Sequence, residues 1–242
     1  MTTTISVVAP KGGQGASTVA ATLALYAARS DHDRPVLFVS DDAALILPRP
    51  TDDQLPGPWD AAPGLAAATT KPARSWQGDL QVIDGPAPDA DLTVMVVRNC
   101  YLALHKALAT LGGDRPPDHI VLIQEPRALR PADVAAALTI PMTTIDADPA
   151  VARSIDAGLI GAGAMPRSLR PLQALLTHPA LRRGDSSAAR PPELAGGDTG
   201  PAAPGPPAVV PVTNDRGLGD AVRAALERVD SPRPITPGGR RL

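Results

Sequence analysis

The sequence predicts an α/β fold, doubly wound, with a mostly parallel sheet covered by helices on both faces. Three observations carry that expectation. From residue 1 to about 182, short apolar runs alternate with segments of helical period. Most of those runs are continuously apolar rather than alternating, as strands buried on both faces are. The first run also ends in a glycine cluster that opens directly into a helical pattern.

Taken in order, Ile5-Ser6-Val7-Val8-Ala9 reads as the first strand, and Ser17 to Arg29 as the first helix. Val36 to Val39 is a second strand. Residues 41–79 hold many Pro and Asp and read as irregular. Leu80 to Ile83 is a third strand, ended by Asp84-Gly85-Pro86. Leu92 to Val97 is a fourth, with a helix from Tyr101 to Leu111 behind it. His119 to Ile123 is a fifth, followed by a helix from Pro131 to Leu138. Met142 to Ile145 is a sixth. The helix after it, Pro149 to Leu159, has Asp148 as N-cap, Pro149 at its first position and Gly158 as its stop.

Composition bounds what this fold can be. Of 242 residues, 43% are hydrophobic but only 2% aromatic, so the core must be built from Ala, Val, Leu and Ile. The net charge of −2 gives no global field toward nucleic acid or anionic lipid, so any such contact must be local. Arg182-Arg183 and Arg240-Arg241 are the short basic clusters available for one. The single cysteine, Cys100, excludes an intrachain disulfide and suits a reducing compartment. No basic leader and no apolar run near the ~20 residues of a bilayer span is visible, so a cytoplasmic location is expected. The four histidines show no metal-ligand spacing.

Residues 183–213 are dense in Pro, Gly, Ala and Ser and are expected to form a disordered linker, since they bury too little to offset chain entropy. Residues 214–242 are expected to hold a short helix and a loose tail. Leu218, Val222, Leu226 and Val229 form one stripe of that helix, from about 216 to 229. Its polar face mixes acids and bases and is not basic, so docking on the chain's own domain or on a partner is expected rather than on a membrane. The predicted organisation is a nucleotide-binding domain over 1–182, a linker and a tail.

The chemistry points to Lys11-Gly12-Gly13-Gln14-Gly15-Ala16-Ser17-Thr18, set between a strand and a helix. Glycines let a backbone turn its N–H groups toward phosphate oxygens at close range. The helix behind aims its positive end at the same place. Ser17 is placed to put a hydroxyl on Mg2+. The other reading of the same residues is a glycine-rich turn with no ligand. Arg98, at a strand end, is either a phosphate- or base-contacting residue or a solvated charge.

The loop does not meet the strict pattern G-x-x-x-x-G-K-[ST], since Pro10 and Ala16 stand at its first glycine and its lysine. It resembles the variant loop of the ParA/MinD family of P-loop ATPases, K-G-G-x-G-K-[ST]-[ST], which Lys11, Gly12, Gly13, Gly15, Ser17 and Thr18 match and Ala16 does not. The resemblance implies ATP and Mg2+ as cofactors, with residues 11–18 as the cradle and Ser17 and Asp84 on the metal side. It implies that Lys11 reaches across a nucleotide-sandwiched homodimer. It further implies that the phosphate contact of the later lysine is lost at Ala16. Such a charge-assisted bond is worth about 1.5–3 kcal/mol, so ATP binding should be weakened but not abolished. Asp42 matches the second acid of the family's D-x-D-P, with Ser40 in place of the first. Asp41 should point the other way along the strand. Asp84 matches its Walker B carboxylate. The stretch from Asp148 to Gly158 is similar to the family segment that leads from a loop near the base into a helix.

The function so implied is an ATP-binding spatial regulator, positioning DNA, a septum or a secretion or pilus apparatus through an unidentified protein partner, with weak or absent hydrolysis. Nucleic acid remains a candidate partner. Two alternatives stand beside it: a non-catalytic localisation scaffold like the TadZ/CpaE or septum-site proteins, and a biosynthetic enzyme of the dethiobiotin-synthetase or amide-ligase type.

Overall fold

The computed structural model describes residues 2–30, 35–48, 57–69, 78–113, 115–127 and 129–181. The expected linker at 183–213 and the tail at 214–242 lie outside the described residues.

Eight strands form one sheet: β1 (Thr3–Val8), β2 (Val36–Val39), β3 (Trp59–Ala62), β4 (Leu65–Ala68), β5 (Leu80–Asp84), β6 (Leu92–Arg98), β7 (His119–Gln124) and β8 (Met142–Asp146). Their spatial order is β3-β4-β2-β5-β1-β6-β7-β8, and every pairing is parallel except β3 with β4. The doubly wound expectation therefore holds. All six strands read from the sequence are present, within two residues of their expected ends.

The helices are α1 (Ala16–Ser30), α2 (Ala43–Ile46), α3 (Tyr101–Leu111), α4 (Pro131–Leu138) and α5 (Pro149–Asp156), followed by a 3-10 helix at Arg167–Thr177. Alternation along the strands sorts them onto two faces. Ile5, Val7, Val94 and Val96 share a core with α1 and the 3-10 helix. Met95 and Val97, of opposite parity and fully buried, belong to the other face, where α3 packs on β6. Helix α1 is buried from Val19 to Ala28, far more than an amphipathic surface helix would be. Its alanines let it lie close to the sheet in place of the bulk that aromatics would supply.

Two expectations need correction. Residues 41–79 are not all irregular: among those described, α2, β3 and β4 are regular elements. β3 reads Trp-Asp-Ala-Ala and β4 Leu-Ala-Ala-Ala, sequences with little strand propensity of their own. β4 is a strand because β2 offers it a partner, Val36 to Val39 against Leu65 to Ala68. Pro63-Gly64 turns β3 back onto it, with Gly64 at φ 73°. The second correction is to α5, which ends at Asp156 rather than Leu159. Gly158 at φ 65° stops it as expected, with Leu159 N–H donating back to Ser154 O at 2.7 Å. The caps at the other end are as read: Asp148 accepts from Ala150 N, and Pro149 opens the helix. Among the described residues, no helix is long and apolar enough to cross a membrane.

Candidate nucleotide site

β1 lies inside the sheet with β5 on one side and β6 on the other, so the loop that leaves its carboxyl end sits between the ends of both neighbours. In open α/β sheets this is where ligands bind. Residues 9–15 form that loop, and α1 starts at Ala16. Gly13 and Gly15 have φ of 75° and 92°, left-handed angles that L side chains rarely take. At Gly15 a Cβ would also come within 2.8 Å of Ile123 Cδ1, so glycine is required twice over. The first helical bond of α1 runs from Val19 N–H to Gly15 O at 3.0 Å. The amides of Ala16, Ser17 and Thr18 precede it and have no acceptor in the helix, which leaves a row of donors at its positive end.

The loop is fixed from behind. Gln14 is buried, and its side-chain oxygen accepts from the backbone N–H of Arg98 at 3.0 Å. Its side chain thus ties the loop to the end of β6, and only its backbone is left for a ligand. The sequence carries no sign of this, because Gln14 fills a variable position of the motif. Lys11 is half-buried, while Gly12 and Gly13 are exposed. Among the described residues Lys11 makes no ion pair.

On the β5 side, Asp84 pairs in register with Val7 at the end of β1. Ser6 Oγ donates to Gly85 O at 2.8 Å and accepts from Ala87 N at 3.2 Å, which holds the turn after Asp84 against β1. Ser40 is buried and donates from its Oγ to Asp84 Oδ2 at 2.8 Å. β2 stops at Val39, so Asp41 and Asp42 stand in the turn beyond it, both exposed, and strand alternation does not govern either. Asp42 heads α2 without a side-chain capping bond. The structure thus gathers the loop, Ser40 and Asp84 at neighbouring strand ends. It leaves Asp42 at the rim.

On the β6 side, a pocket of about 260 Å³ opens beside Gly15 and Thr18. Ile123, Ile145, Val151, Ile155 and Leu169 give it apolar walls, and Arg98, Asp146 and Asp148 stand at its edges. Asp148 is already engaged, by Ala150 N at 2.8 Å and Ser168 Oγ at 2.9 Å. Those two bonds hold its carboxyl below the usual range. Sequence reasoning missed the pocket, apart from Gly15, Thr18, Arg98 and the start of α5. Its walls are the apolar ends of β7 and β8, which read simply as core, and a 3-10 helix that was not anticipated. Leu169, Leu172 and Leu175, spaced three apart and all buried, were the available signal.

Helix-start amides, a half-buried carboxylate on the next strand and an apolar pocket beside them stand together at the strand ends of a P-loop NTPase-like fold. The chain has the fold of the ParA and MinD ATPases. No protein-family model matches the sequence, and no curated protein matches it either. Solved structures do match. The septum site-determining protein MinD complexed with Mg-ADP, from Pyrococcus horikoshii OT3, is similar with a TM-score of 0.57 at 16% identity, over 77% of this chain and 97% of that one. A ParA family ATPase from Chlorobium tepidum TLS gives 0.55 at 14%, over 73% and 98%. A substituted form of McdA from Cyanothece, in complex with ATP, gives 0.55 at 15%, over 75% and 96%.

Proposed function

We propose that this chain is an ATP-binding spatial regulator of the ParA/MinD kind, with residues 1–182 as its nucleotide-binding domain and weak or absent hydrolysis. The observation that carries the proposal is the loop: three helix-end amides without helical acceptors, behind glycines at 75° and 92°, beside a carboxylate on the neighbouring strand. The likeness in fold to proteins solved with Mg-ADP and with ATP supports the same ligand here.

The residues present fit Mg2+ as a partner of the nucleotide. Among the described residues no cluster of three His, Cys, Asp or Glu is built to hold a metal alone. Mg2+ typically takes one or two protein groups plus phosphate oxygens and waters. Ser17 and Asp84 are those groups, and the metal would neutralise phosphate charge there. Ser40 orients the Asp84 carboxyl by the bond already described. The backbone amides of residues 16–18 bind phosphate, and the apolar pocket takes the base and excludes water from it. Without a lysine at position 16, the charge on the terminal phosphates falls to Lys11 of a second copy. The active form is therefore a nucleotide-dependent homodimer, which acts in the cytoplasm on a protein partner.

Ala16 and Ser40 favour one second reading, a non-catalytic localisation scaffold. A titration separates the two. ATP and ADP are titrated with and without Mg2+ against the wild type, Lys11→Ala and Ala16→Lys. Binding that Lys11→Ala weakens and Ala16→Lys tightens about ten- to hundred-fold supports the regulator. No binding of either nucleotide at millimolar concentration leaves the scaffold.

A further inference from the structure

The loop lacks the lysine that holds phosphate within one subunit, yet the site is not without a cation. Arg98, the last residue of β6, lines the pocket next to Gly15 and Thr18. Its backbone is bonded to Gln14 of the loop, so its position relative to the loop is fixed. Its guanidinium gives one N–H, from Nη1, to Glu125 Oε1 at 2.6 Å, and its side chain is 37% exposed. Its Nε is buried and has no hydrogen-bond partner. Buried donors without acceptors are rare in folded proteins. Here one belongs to a side chain facing a pocket that borders a row of free amides.

We infer that Arg98 binds the phosphate nearest the nucleoside, and so gives the subunit a phosphate-binding cation of its own although position 16 has none. The inference rests on the nucleotide-binding reading of the site and deepens it. Three observations give the direction. Glu125 is shared by Arg98 and Arg127, so the group carries two cations to one carboxylate and keeps a net positive charge. Asp146 and Asp148 line the same pocket, and their negative charge repels a polyphosphate while Arg98 attracts it. On the proposed reading Lys11 of the second copy takes the terminal phosphates, which leaves the first phosphate to Arg98. A planar guanidinium whose Nε has no acceptor in the fold keeps a donor that a phosphate oxygen can satisfy.

The chemical consequence is a nucleotide held within one copy by its first phosphate. Binding of adenosine, AMP, ADP and ATP to the full chain with Mg2+ should rise by at least tenfold from adenosine to AMP. Arg98→Gln should weaken ADP and ATP equally, by tenfold or more, and leave adenosine unchanged. Arg98→Lys should recover part of the loss. Near-UV circular dichroism and thermal unfolding check that the variants fold, and the ligand series in the wild type needs no variant at all. Wild-type binding that Arg98→Gln leaves unchanged, or that gains less than tenfold from adenosine to AMP, overturns the inference and leaves the site standing. Failure of the wild type to bind any of the phosphorylated ligands removes the site itself, and the inference with it.

Discussion

The contact between Ser40 and Asp84 decides what position 40 tolerates. A hydroxyl can donate to a carboxylate; a second carboxylate cannot. Ser40 is 3% exposed and 2.8 Å from Asp84 Oδ2, so an aspartate there would set a buried acid against a half-buried one. Without a cation between them, Ser40→Asp should cost on the order of 1–3 kcal/mol of stability. Mg2+ with nucleotide should return more stability to this variant than to the wild type, because the metal would relieve the repulsion. Thermal unfolding with and without Mg2+ and ATP measures both effects. A variant as stable as the wild type without metal would place the two side chains apart and remove Asp84 from the proposed metal pair. This coupling was not legible in the sequence. The motif supplied Asp84 and noted Ser40 as a departure, but only the β2–β5 pairing brings them into contact.

At the level of elements, β7 meets the segment after the 3-10 helix through two histidines. His119 opens β7, half of a ring pair with His178 whose centroids are 5.8 Å apart at 83°. Its Nε2 shares a hydrogen bond with Thr143 Oγ1 at 2.9 Å, and its Nδ1 is buried without a partner. Burial first, and the neighbouring His178 second, push its pKa below the ordinary value. A base whose folded pKa is depressed gives its full stabilisation above the unfolded pKa of about 6.5 and loses it as pH falls toward the folded value. The thermal midpoint should therefore drop between about pH 7 and pH 5. His119→Gln, which keeps a partner for Thr143, should flatten that part of the profile. An unchanged slope would assign the acid sensitivity to other groups. From the sequence these histidines were simply scattered. Strand cores and caps were readable because apolar runs and Asp-Pro or Gly signals are local. β3, β4 and the 3-10 helix were not, since alanine-rich and proline-containing segments take their form from the elements beside them.

For the molecule as a whole, the cation count of the site predicts its kinetic order. In the proposed site Arg98 and the loop amides would serve the near phosphates within one copy, whereas Lys11 would serve another copy. Any hydrolysis should then rise faster than linearly with protein concentration and level off once dimers are filled. Lys11→Ala should lose that dependence while still binding ADP. Specific activity across a hundredfold range of concentration, beside sedimentation with ATP, tests it. Specific activity that is constant while the protein stays monomeric would put all the chemistry in one copy and end the dimer argument.

The central position of β1 has a consequence for how the protein is made. Thr3 pairs with Leu80, and Ile5 with Leu92. At about 5–20 residues per second, ribosomal synthesis needs roughly 4–15 s to pass from the first strand to its earlier partner. For that interval Ile5, Val7 and the glycine loop have no sheet to join. The site is written early in the message but can take shape only after the chain has grown past β5 and β6, which close the two flanks of β1. A nascent chain halted before residue 80 should be open to proteases at β1, and one halted after β6 has left the ribosome should be protected there.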